Sequence, residues 1–305
     1  MEFLYFLENL RVPVLNEAML LITQLGEETA FLVAAMIVFW CVDKRKGYFV
    51  MTVGFLGTMF NQFLKLVFRV PRPWVLDPEF TILEQAREAA AGFSFPSGHS
   101  TSAVGTFGSI AAFSRNKWVR GICIAVCVLV PFSRMYIGVH TPADVLCGAA
   151  ISLLLVRILS PMCWKENVRP MKELIPFMLM MAAMLLVFVE FFPFTMETSQ
   201  LHNLESGRKN AYTMLGALSG LLIVYPLEEK YVKFETKAIW WAQIVKVVLG
   251  FVLVLLVKEG LRAPLEMLFQ GHMIARAVRY CLIVIAAGLV WPMTFRWFQK
   301  LGVKK

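Results

Sequence analysis

WVRGICIAVCVLVPFSRMYIGVHTPADVLCGAAISLLLVRILS, residues 118–160, contains two apolar runs of membrane-spanning length joined by a polar turn. A helix that crosses a bilayer needs about 17–25 mostly apolar residues, and runs of this kind recur along the chain. Of the 305 residues, 58% are hydrophobic, whereas soluble domains have about 45–50%. The sequence therefore predicts an all-α, polytopic membrane helical bundle.

Nine apolar runs are predicted to be transmembrane helices. They lie at residues 27–42, 47–70, 99–114, 118–139, 142–160, 174–192, 209–227, 238–257 and 279–298. Residues 1–25 alternate short apolar and acidic pieces and are expected to form one or two interfacial helices. A six-helix core at 26–192 and a three-helix C-terminal membrane extension at 193–305 follow. Within the core, the long stretch 71–98 is expected to contain one short helix, at 84–91.

Charge and cysteine content argue against a nucleic-acid partner and against a disulfide or metal framework. The net charge of +9 could indicate a nucleic-acid partner, but membrane proteins accumulate Lys and Arg in cytoplasmic loops. We therefore expect no nucleic acid. The six cysteines lie almost entirely in apolar runs without a CxxC pair, which favours buried thiols over a disulfide or metal framework.

Three polar segments stand at the ends of predicted spans: Lys65-x6-Arg72-Pro73, Pro96-Ser97-Gly98-His99 and Ser133-Arg134-x5-His140-x3-Asp144. Ionisable groups are costly near hydrocarbon, so their concentration indicates a functional site. Alternation of the spans puts all three segments on one membrane face. Lys and Arg are more numerous in the loops of the opposite face, which predicts that the site faces the periplasm, the exterior or a lumen.

The residue types suit a phosphate dianion. Lys65 and Arg72 are about two helical turns apart, and Arg72 offers a planar fork for phosphate oxygens. Ser97 is a natural N-cap, and Gly98 allows a ligand to approach the free N–H groups at a helix start. Arg134 adds a third cation.

Two histidines could carry the chemistry. His99 lies in the first turn of a span, where an imidazole could protonate a leaving oxygen. His140 precedes Thr141-Pro142-Ala143-Asp144, in which Asp144 is suited to cap a helix or to orient the His140 ring. The two roles of Asp144 are compatible. Residue chemistry alone leaves open which histidine attacks phosphorus.

Together the segments match K-x6-R-P, P-S-G-H and S-R-x5-H-x3-D, the signature of the phosphatidic acid phosphatase type 2 / vanadium haloperoxidase superfamily, without departure. The chain resembles the integral-membrane lipid phosphate phosphatases of that superfamily. Residues 27–192 resemble its six-helix core, and the later spans lie outside it. The resemblance implies a phosphatase that needs no metal or other cofactor and transfers phosphate through a phosphohistidine.

The resemblance also implies a role for each motif residue. His140 would be the nucleophile, Asp144 would orient it, and His99 would be the general acid. The expected phosphate-binding residues are Lys65, Arg72, Ser97, Gly98 and Arg134. The motif-structural residues are Pro73, Pro96 and Ser133.

The predicted substrate is a phosphate monoester or diphosphate of a lipid, such as a polyprenyl diphosphate, phosphatidylglycerophosphate, phosphatidate or a sphingoid phosphate. The expected location is the cell membrane, with membrane lipids as partners, and a homodimer is left open. A non-catalytic anion-binding scaffold or lipid transporter is the alternative. A soluble-type haloperoxidase is disfavoured by nine spans.

Overall fold

The computed structural model describes residues 1–87, 90–163, 169–194 and 201–301, and these ranges are helical without β-strands. The all-α prediction is confirmed. In chain order the helices are α1 (Glu2–Asn9), α2 (Pro13–Gln24), α3 (Glu28–Ile37), α4 (Lys44–Phe68), α5 (Pro73–Leu76), α6 (Gly98–Phe113), α7 (Lys117–Tyr136), α8 (Pro142–Leu159), α9 (Arg169–Phe191), α10 (Leu201–Leu227), α11 (Trp240–Gly260), α12 (Arg262–Leu268), α13 (Ile274–Ile285) and α14 (Phe295–Lys300).

Seven helical segments in the described chain are long and apolar enough to cross a membrane. A further pair, α2 and α3 with the π-helical turn Val38–Val42, passes as one span bent by 54°. The protein is therefore an integral membrane protein with multiple spans.

The predicted span at 99–114 differs from the expectation in length. It is present as α6, whose 16 residues rise only about 24 Å, short of the ~30 Å hydrocarbon core. The helix ends at Phe113 because Asn116 already caps α7, its side chain accepting from the N–H groups of Trp118 and Val119. The helix expected at 84–91 is a 3-10 turn at Glu84–Ala86; residues 88 and 89 lie outside the described ranges.

The chain forms two compact units. The first comprises Met1–Ala35, Phe49–Lys165 and Pro193–Gly207, and the second comprises Met36–Tyr48, Glu166–Phe192 and Arg208–Lys305. All residues of the three polar motifs belong to the first unit. The division predicted from the sequence, at 1–25, 26–192 and 193–305, stays a prediction.

In the first unit, α6 packs closely against α7 and α8. Gly148 on α8 permits this approach, because a Cβ there would lie 2.6 Å from the Ser97 carbonyl oxygen and 2.9 Å from Thr101 Oγ1. The start of α6 is thereby held against the start of α8. The second motif and the His140–Asp144 part of the third lie at these two helix starts.

The N-terminal helices fasten the loop between α5 and α6. The Tyr5 hydroxyl donates to Asp77 Oδ2 at 2.8 Å. Arg11 donates to the carbonyl oxygens of Tyr136 and Thr81 at 3.0 and 2.9 Å. The N-terminal segment is therefore packed on the same end of the first unit that carries the polar motifs.

In the second unit, Lys246 is buried and pairs internally. Its ammonium donates to the carbonyl oxygens of Trp40 (2.8 Å) and Thr236 (3.1 Å) and lies 4.5 Å from the centre of the Phe295 ring. Lys246 thus satisfies main-chain acceptors next to a π-helical turn, where the regular helical hydrogen bonds are interrupted.

Small residues of α10 let its backbone approach α13. A Cβ at Gly216 would lie 2.0 Å from the Ala277 carbonyl oxygen, and one at Gly220 would lie 2.7 Å from the Cys281 carbonyl oxygen. Glycines spaced by four residues are a common means of close helix packing in membranes.

We expect Gly216→Ala to destabilise the protein by about 1–3 kcal/mol, because the added methyl group must push two backbones apart. Gly121→Ala on α7 is the matched control, since a Cβ there meets nothing within 4 Å. Thermal unfolding in detergent, followed by tryptophan fluorescence, should show a lower midpoint for Gly216→Ala alone. Equal midpoints for the two variants would contradict the close packing.

Candidate active site

The His140 ring lies just before α8, beside the carboxylate of Asp144. Nδ1 of His140 is 3.4 Å from Asp144 Oδ2. The same oxygen accepts from the Ser94 hydroxyl at 2.6 Å and from the Thr141 main-chain N–H at 2.7 Å. The Thr141 side chain in turn accepts from the Asp144 N–H, completing a capping box. Asp144 therefore caps α8 and lies beside His140 at once, as its position in the sequence allows.

The other ring nitrogen of His140 faces Arg72. Arg72 Nη1 lies 2.9 Å from His140 Nε2. The guanidinium also donates three hydrogen bonds to main-chain carbonyl oxygens. Nη1 donates to Val139 O at 3.0 Å, Nε to Gly92 O at 3.1 Å and Nη2 to Ala91 O at 3.0 Å. A buried cation is thus fixed against the ring nitrogen that faces away from Asp144.

Lys65 lies in the last turn of α4, and its side chain is buried. Its ammonium donates to the carbonyl oxygen of Phe93 and lies 3.5 Å from that of Ser94. Lys65 and Arg72 therefore bind the same stretch of main chain, from residue 91 to residue 94. This stretch contains Ser94, whose hydroxyl donates to Asp144.

The turn that opens α6 is held from both sides. Ser97 caps the helix, its hydroxyl oxygen accepting from the Ser100 N–H and the Ser100 hydroxyl. Its main-chain N–H donates to the Asp144 carbonyl oxygen at 2.9 Å. Asn61, one turn before Lys65 on α4, donates to the Pro96 carbonyl oxygen at 3.1 Å.

Arg134 and His99 contribute unpaired donor groups. Arg134 is 1% exposed, and only its Nη1 has a partner among the described residues, the Thr23 hydroxyl at 2.8 Å. Its Nε and Nη2 atoms, and Nε2 of His99, are buried without a hydrogen-bond partner in the described chain. Buried polar atoms are seldom left unpaired, so these atoms are available to a bound ligand.

The electrostatics of the site favour a neutral His140. Burial, followed by the positive charges of Arg72, Arg134 and Lys65, holds the pKa of His140 well below the usual histidine value. A neutral imidazole retains a lone pair, which nucleophilic attack requires. Burial and the neighbouring cations thus both disfavour protonation of the His140 ring.

The structure brings Lys65, Arg72, His99, Arg134, His140 and Asp144 to one end of the first unit. Other motif residues begin helices or form hydrogen bonds that involve main-chain carbonyl oxygens. Pro73 is the buried first residue of α5, the Pro96 carbonyl accepts from Asn61, and the Ser133 hydroxyl donates to the Val130 carbonyl oxygen at 2.7 Å. Gly98 begins α6, where a Cβ would lie 3.6 Å from Asn61 Oδ1.

Sequence reasoning missed three contacts of the site. Ser94 precedes the second motif, Thr23 lies on an N-terminal helix that was expected only at the membrane surface, and Asn61 lies within a span. Only Asn61 carried a signal, because an amide inside an apolar run, four residues before Lys65, requires a buried partner.

Comparison with known proteins gives the same assignment for both halves of the chain. Residues 47–167 match the model of the PAP2 superfamily, and residues 212–304 match that of the PAP2 superfamily phosphatase, transmembrane extension. No solved structure matches the chain.

The chain is similar to three phosphatases of bacterial and mouse origin. Undecaprenyl-diphosphatase BcrC of Bacillus subtilis is 31% identical over 144 residues, 47% of this chain and 72% of that protein. Phosphatidylglycerophosphatase B of the same organism is 33% identical over 161 residues, 48% of this chain and 74% of that protein. Mouse sphingosine-1-phosphate phosphatase 1 is 27% identical over 255 residues, 78% of this chain and 57% of that protein.

Proposed function

The chain belongs to the PAP2 superfamily, whose relatives above are lipid phosphatases, and on this premise we propose that it hydrolyses a lipid phosphate through a phosphohistidine, without a metal ion. One observation carries the proposal: unpaired polar atoms of Arg134 and His99 lie in the same site as His140, whose pKa is held well below the usual histidine value by burial and the neighbouring cations. Catalysis of phosphoryl transfer depends mainly on neutralising charge on the phosphate oxygens and on holding the reactants in line.

In the first step His140 Nε2 attacks phosphorus and the bond to the lipid oxygen breaks. The phosphate oxygens accept hydrogen bonds from the N–H groups of Arg134. They also accept from Arg72 Nη1 in place of His140 Nε2, and the lone pair of Nε2 is then free to attack. The negative charge of the bound phosphate offsets the positive charges of the site and favours a protonated His99, which gives its proton to the departing oxygen. Asp144 stabilises the positive charge that develops on the His140 ring.

In the second step water attacks the phosphohistidine. His99, now without its proton, accepts one from the water, and the bond between phosphorus and Nε2 breaks. Inorganic phosphate leaves, and His140 returns to its neutral state. The steps balance without an oxidant, a reductant or a second substrate.

The substrate we propose is an amphiphile whose phosphate or diphosphate lies at the membrane surface. The activities for which these relatives are named support a polyprenyl diphosphate, a phosphatidylglycerophosphate or a sphingoid phosphate. We further propose that the site opens to the periplasm, the exterior or a lumen, since Lys and Arg predominate in the loops of the opposite side.

We expect the detergent-solubilised protein to release phosphate from at least one of these lipids. Vanadate, which mimics the five-coordinate transition state, should inhibit release, because catalytic sites bind such mimics tightly. Chelation of divalent metals should leave the rate unchanged. A mock preparation from cells without the protein provides the blank.

Two outcomes oppose the proposal. Loss of activity with a chelator and recovery with magnesium would exclude the metal-free mechanism. Absence of phosphate release from every lipid in the panel would favour an anion-binding scaffold or a transporter.

A further inference from the structure

The bend between α2 and α3 lies against two residues of the candidate active site. Thr23, in the last turn of α2, accepts a hydrogen bond from Arg134 Nη1 at 2.8 Å. Both side chains are buried, Thr23 at 6% exposure and Arg134 at 1%. The two residues are 111 positions apart in sequence, so this contact joins the N-terminal segment to the end of α7.

Gly26, in the bend itself, touches the backbone of His99. A Cβ at this position would lie 2.9 Å from both His99 Cβ and His99 O, and 2.8 Å from Val130 Cγ1. Residue 26 therefore accepts no side chain without displacing the first turn of α6. The neighbouring Glu27 is close enough to Arg134 to interact with it electrostatically.

We propose that this bend, residues 23–27, is a positioning element of the active site, and that Thr23 is a positioning residue for Arg134. The inference rests on the proposed phosphatase function. Thr23 would not contact the substrate; it would set the direction in which the Arg134 guanidinium presents its free N–H groups.

The physical reason is the geometry of the guanidinium. Its five N–H groups lie in one plane, so fixing Nη1 fixes the orientation of Nε and Nη2 as well. These are the two atoms without a partner in the described chain. Without the Thr23 hydroxyl, the buried cation would turn toward the nearest acceptor, and Glu27 is a negative group within its field. An Arg134 guanidinium that pairs with the Glu27 carboxylate could no longer donate its N–H groups to phosphate.

The test compares Thr23→Val, which removes the hydroxyl at nearly constant volume, with Thr23→Ser, which retains it. Since hydrogen bonds to a charged group are worth a factor of about ten or more, Thr23→Val should lower kcat/KM about ten-fold and raise the inhibition constant of vanadate similarly. Thr23→Ser should restore most of both. Thr106→Val is the matched control, because Thr106 is equally buried and its hydroxyl has no partner in the described chain.

The vanadate constant separates positioning from mere folding. A partly unfolded preparation loses rate in proportion to its inactive fraction, but its active molecules keep the wild-type KM and vanadate constant. If folded Thr23→Val has the wild-type KM and the wild-type inhibition constant of vanadate, the inference is overturned. If Thr23→Val does not fold, Thr23→Ala provides the same comparison. An inactive wild-type protein would instead contradict the proposed function.

Discussion

Replacing His140 by alanine is expected to lower kcat by at least about a thousand-fold, because in the mechanism proposed above His140 forms the covalent intermediate. Its Nδ1 lies beside Asp144 and its Nε2 faces Arg72, so the ring is held on both sides. Alanine removes the nucleophile and leaves the capping box of Asp144 and Thr141 intact. The protein should therefore remain folded.

Turnover of a lipid phosphate in detergent checks this expectation, with size-exclusion profiles to confirm the folded state. His202→Ala is the matched control, because His202 is exposed on α10. Rapid quenching of the wild-type protein in alkali, where phosphohistidine survives, should give a phosphorylated peptide that contains residue 140. Near-wild-type turnover by His140→Ala would refute its role as nucleophile.

The sequence was sufficient to predict the long apolar helices and the end of the first unit at which the motifs meet. Apolar runs determine where helices form in a bilayer, and alternation of the spans determines on which face their ends lie. The Thr141-Pro142-x-Asp144 pattern likewise predicted a helix cap, because its hydrogen bonds are local. Its residues lie within one turn of helix, and the structure has the cap there.

What the sequence could not predict is the path of main chain between the spans. Lys65 and Arg72 were expected to face a phosphate, yet both also bind carbonyl oxygens of residues 91–94. Ser94, which bonds to Asp144, belongs to the stretch that these cations contact. Such contacts depend on a loop whose course has no periodic signal, and the bond from Arg134 to Thr23 depends on how a separate helix packs.

The second large effect is expected at His99, where we predict that glutamine lowers turnover of a lipid phosphate by about 10²–10⁴-fold. A lipid alkoxide is a poor leaving group and needs a proton as the bond to phosphorus breaks. His99 lies in the first turn of α6, and its Nε2 atom is buried without a partner in the described chain. The glutamine amide approximates the ring's size but cannot serve as an acid.

The leaving group provides the decisive comparison. With p-nitrophenyl phosphate the phenolate departs without a proton, so His99→Gln should lose far less of that activity than of the lipid activity. Arg134→Gln is the control, because Arg134 would stabilise the transferred phosphate itself and its loss should lower both activities by similar factors. Equal losses by His99→Gln on the two substrates would show that His99 binds phosphate and does not donate the proton. The proton would then have to come from water or from the substrate, and the role of the second motif would be reduced to binding.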